Sequence, residues 1–122
     1  HLESREWLQL GTKKVQKFAA GENGLWIIEQ TTLSVFKWDG SSFQRMGTIQ
    51  AQDIAVGLPQ QTVLKSKDKH IYTWDGTKWA KYDESQARDI AIGALGRLYI
   101  IGKDELQLNR QVFQKDLVDE CQ

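Results

Sequence analysis

The sequence predicts an all-β chain of repeated four-stranded antiparallel units, stacked as the blades of a β-propeller. Three observations carry this. Short runs of aromatic and β-branched residues recur about every ten residues with turn signals between them, and helical periodicity is weak throughout. Val35–Phe43 (VFKWDGSSF) returns as Ile71–Trp79 (IYTWDGTKW), and Gln52–Gly57 (QDIAVG) as Arg88–Gly93 (RDIAIG), each 36 residues later. Ala19, Ala55 and Ala91 keep that spacing, each two residues before a glycine. The innermost strands of a propeller converge there, and a bulky side chain would clash. Leucine-rich repeats are shorter than this period, and ankyrin or tetratricopeptide units are helical.

In chain order, Glu6–Leu10 reads as a strand and Val15–Gly21 as the next. Asn23-Gly24 turns the chain into Leu25–Glu29, a turn near residues 30–32 leads to Ser34–Trp38, and Asp39-Gly40 turns it into Ser42–Met46. The second unit repeats this order as Asp53–Gly57, Thr62–Ser66 after Pro59-Gln60, Ile71–Trp74 and Lys78–Tyr82. Asp75-Gly76 is expected to form a two-residue hairpin turn, with a short polar link at 83–87 after the fourth strand. The third unit is Asp89–Gly93, Arg97–Ile101 after Leu95-Gly96, Glu105–Leu108 and Val112–Lys115. The blades thus span about residues 11–46, 47–82 and 83–115, with a spare outer strand at 6–10 and an acidic tail at 116–122.

Sixteen basic and sixteen acidic residues cancel, which speaks against a nucleic-acid or anionic-membrane partner. The apolar fraction of 40% with five Trp is that of a folded domain. The longest apolar run, Leu98–Ile101, is too short to span a membrane, so no transmembrane segment is expected. One cysteine, Cys121, permits no intrachain disulfide. With no secretory segment read, the expectation leans toward an intracellular protein, the compartment staying open.

The motifs Trp-Asp-Gly-x-x-[Trp/Phe] and Asp-Ile-Ala-[Val/Ile]-Gly together resemble the tectonin β-propeller repeat, from Trp7 to about Phe113. Unit one departs with Lys17-Phe18-Ala19-Ala20-Gly21, unit two with Pro59-Gln60 where the turn usually has Gly, and unit three at its third strand. The resemblance implies a non-catalytic binding module, either an intracellular scaffold or a lectin for surface sugars. Outer strands number four, marked by Trp7, Phe43, Trp79 and Phe113, against three sets of inner ones. The expectation is therefore a piece of a larger ring of about six blades. More of a longer chain or a second copy would complete it, and the spare strand favours the longer chain.

The candidate ligand-binding residues are Trp38, Asp39, Trp74, Asp75, Asp53, Asp89 and Arg88. Trp38 and Trp74 could stack on sugar rings, although packing between blades also explains them. Asp39 and Asp75 could bind hydroxyls as a repeated rim, but Asp before Gly is favoured by turn chemistry alone. Asp53 and Asp89 begin inner strands and could line one end of a central channel, or pair with a neighbour such as Arg88. The basic cluster Lys65–His70 reads as a solvated hairpin tip. His70 and Cys121 have no companions at ligand spacing, so no metal or cofactor is expected. No nucleophile motif or phosphate loop stands out, and no catalytic residue is assigned. The first expectation is an interaction module contacting proteins in a larger assembly. A carbohydrate-binding lectin with one weak site per blade is the alternative.

Overall fold

The computed structural model describes residues 6–102 and 105–108, with all their side chains except those of residues 83–85. Among the described residues, eleven strands form three antiparallel sheets. The first sheet is β1 (Val15–Gly21), β2 (Gly24–Glu29), β3 (Val35–Trp38) and β4 (Phe43–Arg45), paired in chain order. The second is β5 (Ala51–Val56), β6 (Thr62–Ser66), β7 (His70–Trp74) and β8 (Trp79–Gln86), also in order. The third is β9 (Asp89–Ile92), β10 (Leu98–Gly102) and β11 (Glu105–Leu108), with a 3-10 turn at Ala94–Gly96. The fold is all-β.

Each sheet is a meander, and its first strand lies beside the first strand of the next sheet, β1 by β5 and β5 by β9. Short links make the joins repeat. The Ala51 amide donates to the Leu33 carbonyl, and the Ala87 amide donates to the Lys69 carbonyl 36 residues on. Gly21 shows why this column is small: a Cβ there would sit 2.9 Å from the Val56 carbonyl oxygen.

Among the described residues, two cores lie between the sheets. Trp26, Ile28 and Val35 of the first sheet pack on Ile54, Leu64 and Trp79 of the second. Ala55, Val63 and Ile71 of the second pack with Ile90 and Leu98 of the third. Apolar burial, at about 25 cal/mol per Å², contributes most of what holds such sheets face to face.

Three expectations need correction. Residues 6–10 form no strand: Trp7 is 98% exposed, and this segment pairs with no sheet among the described residues. A fourth strand needs the free edge of a third, and β4 and β8 already occupy the edges of β3 and β7. The Asp-Gly pairs do not supply both central residues of their turns. Gly40-Ser41 and Gly76-Thr77 are the bends, with φ +104° at Gly40 and +102° at Gly76, and each Asp precedes its bend. The polar link at 83–87 is strand as far as Gln86, because β8 continues past a register shift to pair Gln86 with His70. The expected strand Val112–Lys115 and the acidic tail lie outside the described residues.

The turn at Pro59-Gln60 keeps its shape without glycine. Gln60 takes φ +66°, the left-handed conformation that Gly24 and Gly96 hold 36 residues to either side. Among the described residues, no helix is long and apolar enough to cross a membrane.

Candidate functional site

A cleft opens between the first and second sheets, with a volume of about 640 Å³. The β1–β2 turn brings Asn23, the strand ends bring Lys37, Met46 and Trp74, and the loops bring Gln60 and Asp75. Its floor is aromatic. Trp74 meets Trp79, its partner across the hairpin, at 5.1 Å between ring centroids. Trp26 stands 6.1 Å from Trp74 and 5.7 Å from Trp79, and all three contacts are edge-on, the arrangement the ring quadrupole favours.

Polar bonds fix these rings. The Trp26 indole N–H donates to the Asn23 carbonyl at 2.8 Å, and the Trp79 indole N–H to the Met46 carbonyl at 2.7 Å. The Asn23 side-chain amide donates to the Thr62 hydroxyl at 2.7 Å, joining the first sheet's turn to the second sheet. Lys37 holds its ammonium 5.5 Å from the Trp26 ring centroid. The walls offer donors, one cation and one carboxylate around half-buried indole.

That carboxylate is engaged. Asp75 Oδ1 accepts the amides of Thr77 and Lys78, both at 2.8 Å. The Lys78 amide first, then that of Thr77, hold the group below the usual carboxylate range. Asp39 is its counterpart in the first sheet. Its Oδ1 accepts the amides of Ser42 at 2.8 Å and Ser41 at 2.9 Å, and Oδ2 accepts the Gln44 side-chain amide at 3.0 Å. The Ser42 amide is the main cause of its lowered pKa. In both, the carboxylate closes the loop's own backbone.

The seven residues expected from sequence do not converge. Trp74 and Asp75 line the cleft. Trp38 packs edge-on against Phe43, 4.8 Å between centroids, within the first sheet, and Asp39 lies exposed beside it. Asp53 and Asp89 meet each other on β5 and β9. Asp53 is 4% exposed, forms an ion pair with Lys17 of β1, and accepts the Ile54 amide at 2.8 Å. Asp89 accepts the Ile90 amide at 2.9 Å. A hydrogen bond with the Asp53 carboxyl group leads the causes that hold Asp89 below its ordinary pKa, with Lys17 and Lys65 adding positive charge. Arg88 contributes its backbone: its amide donates to the Ile101 carbonyl at 2.7 Å, and its carbonyl accepts the Lys65 ammonium at 2.5 Å.

Lys17, Asn23, Lys37 and Gln60 escaped the sequence reading as site residues. A signal existed for Lys17, which stands 36 before Asp53 and 72 before Asp89. Of the expected tip at Lys65–His70, only Lys67, Asp68 and Lys69 form the exposed turn; Lys65 and buried Ser66 belong to β6, and His70 to β7. No family model matches the chain, and no curated protein matches it either.

Proposed function

We propose that this chain is a non-catalytic β-propeller module of the tectonin-like kind, which makes protein contacts through its sheet faces. One observation carries the reading. The aromatic and acidic residues of the Trp-Asp-Gly loops are spent on packing and turn closure, while large apolar side chains stand exposed on sheet faces elsewhere. Phe18 on β1 is 66% exposed and Leu106 on β11 is 74% exposed. Exposed apolar surface gathered on a sheet face marks an interaction site. Side-by-side first strands and face-to-face sheets support the propeller arrangement.

Cross-linking tests it. A photoreactive benzophenone residue replacing Phe18 or Leu106 is expected to capture protein, and one replacing Ser41 on the exposed loop to capture none. Capture from Ser41 alone would sink the assignment to the sheet faces.

The cleft favours a second reading, a glycan site, because half-buried indole at Trp74 lies there with Asn23, Lys37 and Gln60. Titration with mono- and oligosaccharides separates the two. The interaction reading expects flat tryptophan fluorescence, and a saturable change abolished by Lys37→Ala supports the glycan site.

A further inference from the structure

Residues directly opposed on neighbouring strands share a sheet face. On that rule Phe18, Ile27 and Phe36 share one face of the first sheet, and Ala19, Trp26 and Lys37 the other. Ile54, Leu64 and Tyr72 share one face of the second, and Ala55, Val63 and Thr73 the other. Ile90, Ile100 and Gln107 share one face of the third, and Ala91, Tyr99 and Leu108 the other. The Trp26 face packs on the Ile54 face, and the Val63 face packs on the Ile90 face. Both junctions among the described residues use the same two faces in the same order.

Two faces of these two kinds remain without a sheet upon them among the described residues. The first sheet's Phe18 face is the counterpart of the Ile54 face, down to its edging. Gly11 lies against Phe43 as Gly47 lies against Trp79, and each pair is 36 residues from the other. The third sheet's Tyr99 face is the counterpart of the Trp26 face, with an aromatic opposed to alanine in both. It carries a shallow apolar depression of about 110 Å³ lined by Ala91, Tyr99, Ile101 and Leu106, with Asp89 at its margin.

Charge points the same way. Lys17, Asp53 and Asp89 hold one repeat position, and the first two already pair across a junction. Asp89 follows Asp53 as a second carboxylate, so the next member of the column is best placed if it is a cation.

We propose that the Tyr99 face of one chain docks on the Phe18 face of a second copy, head to tail, with Lys17 of the second copy against Asp89. The inference rests on the interaction-module reading and names its partner. The described sheets of two copies number six, within the roughly 4 to 8 at which propellers close. The contact is heterologous, one patch meeting a different patch.

Sedimentation of the purified chain tests this. The wild type is expected at twice the mass of one chain. Phe18→Glu and Leu106→Glu alter exposed side chains, so each is expected to keep its fold by circular dichroism and to sediment as a monomer. Mixed in equal amounts they are expected to recover a dimer held by one junction, where the intact Tyr99 face of the first variant meets the intact Phe18 face of the second. Asp89→Lys gives Asp53 a cation within its own chain but sets like charges against the second copy. It is expected to raise the dimer dissociation constant about tenfold or more. A wild type monomeric at its highest soluble concentration, or variants that fail to complement in the mixture, would overturn the proposal. Cross-linking from Phe18 to a different protein would then leave the interaction reading standing by itself.

Discussion

Lys17 of β1 and Asp53 of β5 occupy the same position in successive repeats and form an ion pair where the first two sheets meet. The carboxylate is buried and the ammonium half exposed, so removing the cation strands a negative charge inside the junction. Lys17→Met is expected to cost about 1–3 kcal/mol in urea unfolding, less than a fully buried pair because water still reaches the lysine. An unchanged midpoint would make the pair ornamental.

Acid should weaken the fold through the turn carboxylates. Asp39 and Asp75 both have folded pKa values below their ordinary ones. A depressed pKa gives stability that is present above the unfolded value, about 4, and is lost as pH falls through the folded value. Unfolding midpoints are expected to be flat in these groups from pH 5 to 7 and to drop below about pH 4. Asp75→Asn keeps an acceptor for the Thr77 and Lys78 amides but cannot titrate, so its acid limb should be shallower. An identical limb would remove Asp75 from the account.

Lys69 has φ +71° on the exposed tip between β6 and β7. A left-handed backbone costs a residue with a Cβ roughly 1–2 kcal/mol, and glycine escapes that cost. Lys69→Gly is expected to raise stability by about 1 kcal/mol, read as a higher melting temperature. A lower one would mean that the lysine stem contributes packing.

Trp79 joins two sheets through its indole N–H on the Met46 carbonyl. Trp79→Phe keeps an aromatic ring, as Phe43 does at the equivalent place, but leaves that carbonyl without this donor. The expected loss is about 1–3 kcal/mol. Equal stability with the phenylalanine would show that water replaces the bond at no cost.

The three sheets were legible because their code is local. Trp38-Asp39-Gly40 and Trp74-Asp75-Gly76 announce their hairpins, and the apolar run Leu25–Ile28 announces a buried strand. The bend position was not legible, since Asp-Gly serves a two-residue turn as well as one in which the Asp side chain takes over a backbone bond. The strand expected at residues 6–10 failed for a different reason. Trp7 matches Phe43 and Trp79 in sequence, but strand pairing needs a free edge, which no local pattern reports. The cleft between sheets joins Asn23 and Lys37 to Trp74 across the chain, and spacing alone could not assemble it.

The edging of the first sheet by Gly11 and of the second by Gly47 has a consequence for how such a chain can change. Each repeat carries the strap that prepares its own receiving face. Excising Gly11 through Met46 would bring Leu10 directly onto Gly47, and the shortened chain would present the second sheet's Ile54 face to solvent. Editing in steps of 36 residues thus preserves every surviving junction, because the linker that carries Gly47 reaches the second sheet at its own length. Gain and loss of whole units is the path of variation that this arrangement leaves open.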